Sequence, residues 1–451
     1  MARGLRISIV GTGYVGLVSG ACFAELGHVV TCVDLDEREI AGLTAGIIPI
    51  HEPDLKPLVM ENMKAERLRF SSVLPPAVAE SDVVFIAVGT PSRRGDGHAD
   101  LAYVHLAAEM IASSLQGFTV IATKSTVPVG TSDEVARIVA RTNPVAEFSV
   151  VSNPEFLREG AAIEDFMHPD RIVLGIEDER ARAVMERVYE PLHMQKAKIL
   201  VTGRRTAEVI KYASNAFLAM KATFINEISD LCEKVGGDVE EVSRGIGFDP
   251  RIGAGFLEPG PGFGGSCLPK DAMALMKTAQ DHDISMRLIE ATVAANEARK
   301  RAMGRRVIAV CGGSVRGKTI AVLGLAFKAG TNDLRDAPSL AVVQTLLDFG
   351  ARVRVFDPIA ITPAQARVSG VEFAGDAYSV AEDADCIVLV TAWDEFRVLD
   401  LPRLGSVMRS RRMVDLRNVY RAEDAERAGF DYSCLGRGRA GRAWQLVDAA
   451  E

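Results

Sequence analysis

The sequence has no excess of positive charge and no long hydrophobic run. Its 451 residues carry a formal net charge of −8, so the chain as a whole does not attract nucleic acid or an anionic membrane. Any anionic ligand must then be bound by local cations. No uninterrupted apolar run approaches the roughly 20 residues that a membrane helix needs. These absences favour a pocket for a small molecule.

The seven cysteines include no Cys-x-x-Cys pair and are widely scattered, which argues against a disulfide framework and against a zinc site. The seven histidines are equally dispersed, so we predict no metal site. The first residues run directly into a short apolar stretch that ends at a glycine, without the length of a signal-peptide core. We therefore expect a cytoplasmic protein.

A glycine-rich turn, GTGYVG (11–16), follows the first predicted strand and precedes a segment with helical apolar spacing. A second strand ends at Asp34, 23 residues after the first glycine. This succession of strand, turn, helix, strand and acid is typical of a dinucleotide site. Gly11 would make the turn, Gly13 would admit the pyrophosphate and Gly16 would pack helix on strand. Asp34 would bind the adenosine ribose hydroxyls, so we expect NAD rather than NADP.

The second half of the chain repeats the pattern of the first. FGARVRVFD (349–357) matches LGHVVTCVD (26–34), and ADCIVLVTAW (384–393) matches SDVVFIAVGT (81–90). The repeat predicts an α/β fold with two Rossmann-like, doubly wound domains. The second lacks the glycine-rich motif, so we expect no second dinucleotide there. A different nucleotide and a purely structural role both stay open.

A long helix is predicted between the two repeats. Apolar residues recur every three or four positions from Ile210 to Val235, which predicts one apolar stripe. The stripe suits a dimer surface or an intrachain core. We expect an NAD-binding domain over 1–203, a central helical segment over 204–302, and a second Rossmann-like domain over 303–451 that ends in a mobile tail (435–451).

One cysteine lies in a glycine-rich segment, PGFGGSCLPKD (261–271). Free cysteines are usually buried and inert, but glycines often line places where a ligand approaches, and neighbouring charges tune a thiol. Lys211 and Asn215, four residues apart, share one helix face. A thiolate can add to an aldehyde, and the thiohemiacetal can lose hydride to NAD⁺, leaving a thioester that water hydrolyses. The sequence therefore suggests a dehydrogenase in which Cys267 forms a covalent intermediate.

The motifs together resemble the UDP-glucose/GDP-mannose dehydrogenase family over about residues 5 to 420. In chain order they are GTGYVG, IPIHEP, VGTP, KSTVPVG, NPEFLREG, KYASNAF, DPRIG, PGFGGSCLPKD, GLAFKAGTNDLRDAPS and DLRN. The resemblance implies a four-electron oxidation of a sugar nucleotide's primary alcohol to an acid, with two NAD⁺ reduced in succession at one site. UDP-glucose is the expected substrate. GDP-mannose is the alternative, and a non-catalytic sugar-nucleotide-binding sensor is the alternative of another class.

The resemblance also implies roles for individual side chains. Cys267 would be the nucleophile, and Lys211 and Asn215 would support the oxyanion formed at the 6-position of the sugar. Asp271 would assist proton transfer and hydrolysis through water. Glu155 would contact the substrate and is a candidate general base. With Thr126, these are the predicted catalytic residues.

The predicted ligand contacts are also implied by the resemblance. Thr126 and Glu159 would lie near the nicotinamide. The predicted cofactor residues are Gly11, Gly13, Tyr14, Val15, Gly16, Asp34, Thr90, Thr126, Glu159, Lys270 and Arg335. The predicted substrate residues are Glu155, Phe156, Leu157, Lys211, Asn215, Arg251, Phe256, Leu257, Gly260, Gly264, Lys328 and Arg417.

Two positions depart from the family pattern. Relatives often carry a basic residue five positions after the ribose-binding acid, whereas this chain has Glu39 there and Arg38 just before it. His51 stands where tyrosine is common.

In relatives, the residue that corresponds to Arg251 reaches across a subunit interface, so we expect a homodimer or a higher homo-oligomer.

Overall fold

The computed structural model describes residues 4–91, 93 and 97–438. The chain forms two compact units, of which the first comprises residues 1–214 and 273–284 and the second comprises residues 215–272 and 285–451. The chain passes between the units at 214/215 and 272/273, which lie inside helices, and at 284/285, which lies between two helices. Among the described residues, none of the helices has the length and apolar character required to cross a bilayer.

The first unit contains an eight-stranded sheet. Its order is β3-β2-β1-β4-β5-β6-β7-β8, and β6 and β7 form its antiparallel pair. The order reverses between β1 and β4, which opens a crevice at the carboxyl ends of these strands. The strands are β1 (Arg6–Val10), β2 (Val29–Val33), β3 (Leu68–Ser71), β4 (Val83–Ile86), β5 (Thr119–Thr123), β6 (Phe148–Ser152), β7 (Ile172–Gly175) and β8 (Ile199–Thr202).

Apolar cores cover both faces of this sheet. Strand β4 is buried throughout; Val83 and Phe85 pack into one core and Val84 and Ile86 into the other, as the two-residue period of a strand requires. The helices are α1 (Tyr14–Glu25), α2 (Glu37–Thr44), α3 (Leu55–Lys64), α4 (Leu74–Ala79), α5 (Ala102–Ala112), α6 (Thr131–Thr142), α7 (Ala162–Met167) and α8 (Glu179–Met194).

The middle of the chain is helical. Helix α10 begins after Asp238, whose carboxylate accepts hydrogen bonds from the N–H groups of Glu240 and Glu241 and so satisfies donors at the helix start. Helices α9 and α11 contain two of the three points at which the chain passes between the units, and the third lies between α11 and α12. The helices are α9 (Arg204–Val235), α10 (Val239–Gly247), α11 (Leu268–Gln280) and α12 (Arg287–Val310).

The second unit contains a six-stranded sheet in the order β11-β10-β9-β12-β13-β14, and all its pairs are parallel. Its strands are β9 (Thr319–Leu323), β10 (Arg352–Phe356), β11 (Val371–Phe373), β12 (Cys386–Leu389), β13 (Arg412–Asp415) and β14 (Asp431–Cys434). Its helices are α13 (Pro338–Asp348), α14 (Ile361–Gln365), α15 (Asp394–Arg397), α16 (Leu401–Val407) and α17 (Ala422–Arg427), with a 3₁₀ turn at Ser379–Ala381.

The two sheets confirm the predicted α/β class. The order of the first six strands of the larger sheet is the order of the smaller sheet, each with its reversal after the central strand. This order is the doubly wound Rossmann arrangement. The repeated sequence pattern therefore corresponds to a repeated topology, with a long helix α9 between the two sheets in the chain.

The start of the predicted mobile tail is packed. The N–H of Gly436 donates to Glu233 at 2.8 Å, and Arg437 forms an ion pair with Asp238 at 3.2 Å. Leu435 is buried in the core of the second unit. The expectation of mobility is thus corrected for residues 435–438, because their polar groups have partners; residues 439–451 lie outside the described residues.

Candidate active site

The glycine-rich turn follows β1 in the first unit. Gly11 has φ of +103°, and a Cβ there would lie 2.7 Å from the carbonyl oxygen of Ala87. A Cβ on Gly16 would lie 1.9 Å from the carbonyl oxygen of Gly11, so both positions require glycine. A Cβ on Gly13 would meet no atom within 4 Å. The turn therefore leaves open space beside Gly13, at the start of α1.

A cavity of about 370 Å³ adjoins this turn. Gly11, Gly13 and Asp34 line it on one side, and Asp34 accepts a hydrogen bond from the N–H of Thr12 at 2.8 Å. Its apolar lining includes Leu35, Leu74, Tyr103, Leu106 and Met110. Open backbone, a carboxylate and an apolar wall fit the pyrophosphate, ribose and adenine of a dinucleotide.

Tyr14 is linked to a carboxylate that the sequence did not single out. Its hydroxyl contacts Glu52, and Glu52 also accepts from the N–H groups of Gly160 and Ala162, at 2.6 and 2.7 Å. Burial and the hydrogen bond to Glu52 raise the pKa of Tyr14 well above its usual value. Glu52 therefore joins the glycine-rich turn to the segment that carries Glu159.

Glu155 and Lys211 form a buried ion pair at 2.8 Å. The other oxygen of Glu155 accepts from the N–H of Leu157 at 2.6 Å. Burial alone would raise the pKa of Glu155, but the charge and hydrogen bond of Lys211 and the N–H of Leu157 lower it overall. Glu155 is thus ionised at neutral pH and both of its oxygens are engaged. This geometry favours a role in orienting Lys211.

A second buried lysine lies in the same unit and was missed from sequence. The Nζ of Lys124 is 3.2 Å from the Oδ1 of Asn153 and 3.4 Å from the Tyr189 hydroxyl. Among the described residues, no carboxylate forms an ion pair with it. Burial lowers the pKa of Lys124 to about 8, against the opposing charge of Glu155. The sequence feature that could have identified Lys124 is its position as the first residue of the KSTVPVG motif.

Thr90 and Thr126 lie together at the carboxyl edge of the larger sheet, where the Thr90 hydroxyl donates to the carbonyl oxygen of Thr126 at 2.9 Å. Buried Glu208 fixes the following turn. It accepts from the N–H of Gly130 at 2.6 Å and from the N–H and hydroxyl of Ser132 at 2.8 and 2.7 Å. Helix α9, which carries Lys211, is thereby tied to the loop that carries Thr126.

The thiol segment belongs to the second unit. The N–H of Gly265, where φ is +88°, donates to the carbonyl oxygen of Arg335 at 2.8 Å. A Cβ on Gly264 would lie 2.3 Å from the carbonyl oxygen of Asp336. The positive φ of Gly265 and the close carbonyl oxygen beside Gly264 require glycine at both positions. Cys267 is partly exposed, whereas the other six cysteines are buried.

Asp271 lies in the first turn of α11, one helical turn after Cys267. It is fully buried, and its oxygens accept from Asn215 at 2.6 Å and from Lys270 at 2.7 Å. Ser266 is the neighbour of the thiol, with its Oγ 3.4 Å from the sulfur. The structure thus joins three predicted residues, because Asn215 of helix α9 and Lys270 both donate to Asp271, four residues after the cysteine.

The predicted substrate residues Lys328 and Arg417 lie at the carboxyl edge of the smaller sheet. Arg417 donates to the carbonyl oxygens of Val390 and Phe327 at 2.9 and 3.0 Å. A Cβ on Gly260 would lie 2.7 Å from Nη1 of Arg417, so a residue without a side chain is needed there for the guanidinium to approach the backbone. Burial lowers the pKa of Arg417 to about 10, which leaves it charged at neutral pH. Lys328 directly follows Phe327.

The carboxylate that follows β10 in the second repeat has its hydrogen-bond acceptor sites filled by the protein itself. Asp357, the counterpart of Asp34, accepts from the N–H groups of Leu325, Ala326, Ile359 and Ala360 and from the Trp393 indole. A buried carboxylate with five donors has no capacity left for ribose hydroxyls. Asp357 therefore does not supply a ribose-binding acid, and the absence of a second dinucleotide stays a prediction.

The remaining predicted substrate residues, and the predicted cofactor residue Arg335, lie in several environments; Phe156 contacts the buried ion pair, with the Nζ of Lys211 5.4 Å from its ring centroid. Arg251 is largely exposed and pairs with Asp249 at 2.6 Å. Phe256 adopts φ of +63°, and Leu257 is buried. Arg335 forms an ion pair with Asp333 at 2.8 Å. Phe156 lies under Arg171, whose guanidinium carbon is 3.7 Å from the ring centroid.

Three family models match successive parts of the chain. The NAD binding domain of the UDP-glucose/GDP-mannose dehydrogenase family matches residues 5–193, its central domain matches 205–298, and its UDP binding domain matches 321–422. The chain belongs to the UDP-glucose/GDP-mannose dehydrogenase family. It is accordingly an NAD-dependent oxidoreductase, and the predicted resemblance is confirmed.

Individual members of the dehydrogenase family match over nearly the whole chain. A UDP-glucose 6-dehydrogenase of Rhizobium meliloti is 60% identical over 96% of this chain and 100% of its own length. A second, of Bacillus subtilis, is 46% identical over 96% of this chain and 93% of its own. The solved UDP-glucose dehydrogenase of Pyrobaculum islandicum has a TM-score of 0.88 and 38% identity, covering 95% of this chain and 97% of its own.

Proposed function

We propose that this chain oxidises UDP-glucose to UDP-glucuronate, with two NAD⁺ reduced for each sugar. The partly exposed thiol of Cys267 carries the proposal, because it stands in a glycine-lined segment while the other six cysteines are buried. The oxidation of an aldehyde to an acid requires a covalent adduct from which hydride can leave. The 60% identity to a UDP-glucose 6-dehydrogenase supports the choice of sugar nucleotide.

The side chains of the proposed site divide the work. The Cys267 thiolate adds to the aldehyde, and the ammonium of Lys211 and the amide of Asn215 stabilise the negative oxygen. Glu155 fixes the position of Lys211 through their ion pair at 2.8 Å. Asp271 holds Asn215 at 2.6 Å and directs the water that hydrolyses the thioester. Bound NAD⁺ supplies the acceptor for one hydride in each oxidation.

The two Rossmann-like domains have different ligands in this proposal. The cavity beside Gly13 and Asp34, in domain 1–203, binds NAD with Thr90, Thr126 and Glu159 near the nicotinamide. Domain 303–451 binds the UDP diphosphate through Lys328 and Arg417.

We retain a cytoplasmic location as a prediction, supported by the seven free cysteines, since cytosolic thiols are kept reduced.

The substrate is tested by initial rates of NADH formation with UDP-glucose and, separately, with GDP-mannose. We expect kcat/KM for UDP-glucose to be at least about 100-fold higher, because a site that pairs one base leaves buried polar groups unpaired with another. Chromatography should identify UDP-glucuronate as the product. A preference for GDP-mannose would overturn the assignment, and binding of either nucleotide without NADH formation would indicate a sensor.

We also propose that the chain forms a homodimer through helix α9. Four large residues of its apolar stripe are exposed, by 56, 49, 54 and 70% for Phe217, Phe224, Leu231 and Val235. The first three recur every seven residues, the spacing of a helix–helix seam. An exposed apolar stripe of this length is typical of a protein interface.

Phe224→Asp should dissociate the proposed dimer. A carboxylate buried in an apolar interface without a partner carries a large desolvation cost, so we expect dimerisation to weaken by at least about tenfold. Light scattering over a concentration series measures the mass directly. Val145→Asp is the matched control, because Val145 is exposed outside helix α9 and its replacement should leave the mass at twice that of the monomer. A monomeric wild-type protein would contradict the proposal.

A further inference from the structure

Two carboxylates share one hydroxyl at the cavity beside the glycine-rich turn. The Oγ1 of Thr12, which is fully buried, lies 2.6 Å from Glu39 and 3.1 Å from Asp34. A threonine hydroxyl carries one proton and donates to one acceptor at a time. Asp34 already accepts from the N–H of Thr12 at 2.8 Å. The hydroxyl proton is therefore assigned to Glu39, the shorter contact.

The start of helix α2 fixes Glu39 in this position. Asp36 caps the helix and accepts from the N–H groups of Arg38 and Glu39, at 2.9 and 3.2 Å. The N–H of Asp36 in turn donates to the second oxygen of Asp34 at 3.1 Å. The Asp34 carboxylate is thus held by two backbone N–H groups, whereas the cap fixes the backbone of Glu39 and the Thr12 hydroxyl holds its carboxylate.

The cavity is anionic at this end. Asp34 and Glu39 both line it, and within the described part of the chain the lining includes no lysine, arginine or histidine. Arg38 is exposed and is not part of the lining. A ribose with two free hydroxyls can donate to carboxylates, whereas a 2′-phosphate adds about −1.5 to −2 charges and offers only acceptors.

We propose that Glu39 is a coenzyme-specificity residue, whose carboxylate, held by Thr12, acts beside Asp34 to exclude ligands with a phosphate on the adenosine ribose. Asp34 binds the ribose, and Glu39 adds a second negative charge at the same edge. Glu39, which stands where relatives often carry a basic residue, thereby strengthens the selection of NAD over NADP. The inference needs only the NAD site and is independent of which sugar nucleotide is oxidised.

The test measures binding without turnover. Calorimetry on the full chain, in the absence of any sugar nucleotide, compares AMP with adenosine 2′,5′-bisphosphate and NAD⁺ with NADP⁺. In each pair, the dissociation constant of the 2′-phosphorylated ligand is divided by that of the unphosphorylated ligand. Glu39→Gln should lower this ratio about five- to tenfold, the size expected for removing one nearby, partly screened charge. The change should shrink in about 1 M salt, where the screening length is about 3 Å.

Glu37→Gln is the matched control. Glu37 lies in the first turn of the same helix, is exposed, and does not line the cavity, so its replacement should leave the ratio unchanged. An unchanged ratio in Glu39→Gln, with AMP binding retained, would overturn the proposal. An equal fall in both variants would also overturn it, because a general charge effect would then explain the selectivity.

Discussion

Cys267→Ala is expected to abolish the formation of UDP-glucuronate and to leave the reduction of the UDP-sugar 6-aldehyde by NADH in place. Hydride transfer between the alcohol and the aldehyde needs a positioned nicotinamide, a proton acceptor and support for the oxyanion, but no sulfur. Oxidation of the aldehyde needs a covalent adduct first. The variant should therefore bind NAD⁺ and UDP-glucose normally and lose only the second oxidation.

The measurement combines product chromatography in the forward direction with NADH consumption in the reverse direction. Cys434→Ala is the control, because it also removes a thiol from the second unit but one that is buried at the end of β14; it should form the acid normally. Acid formation by Cys267→Ala would remove the thiol from the mechanism. Loss of both directions in a folded, NAD-binding variant would assign Cys267 to substrate positioning.

Arg417→Ala should weaken UDP binding strongly and leave NAD binding almost unchanged. A charge-assisted hydrogen bond contributes about 1.5–3 kcal/mol, which corresponds to roughly 10- to 150-fold in the dissociation constant. Calorimetry with UDP, and separately with NAD⁺, measures both affinities. Arg417→Lys keeps a charge but not the planar fork, so we expect it to bind UDP with intermediate affinity.

Arg409 provides the matched control for this arginine. It precedes β13, whereas Arg417 follows it, so the two lie at opposite edges of the smaller sheet; Arg409 pairs with Asp385 at 3.2 Å. Arg409→Ala should bind UDP like the wild type. If Arg417→Ala lowered NAD affinity and spared UDP affinity, the proposed assignment of ligands to the two domains would be wrong.

Local spacing was sufficient for the dinucleotide turn and for the repeated topology. Gly11, Gly16 and Asp34 belong to one continuous strand, turn, helix and strand, so the order of residue types along 6–34 determines their placement. Asp357 shows the limit of this reasoning. It occupies the same place in the second repeat, yet its five hydrogen-bond donors, including the Trp393 indole, make it structural. The motif does not show how many donors surround the carboxylate.

The positioning residues could not be predicted because their partners are distant in the chain. Glu52 accepts from Gly160 across 108 residues, and Glu208 accepts from Ser132 across 76. Each needs a specific tertiary fold to become a buried acceptor. The stripe of α9 illustrates a different limit, because a period of three and four identifies an apolar face but does not say whether the same chain covers it.

The most direct test of the proposed four-electron oxidation is an end-point count of NADH against a limiting, known amount of UDP-glucose, with excess NAD⁺ and wild-type protein. The proposal predicts two NADH for each UDP-glucose consumed, stoichiometric UDP-glucuronate, and no aldehyde captured by an added carbonyl reagent. One NADH for each UDP-glucose, with the aldehyde released, would contradict it.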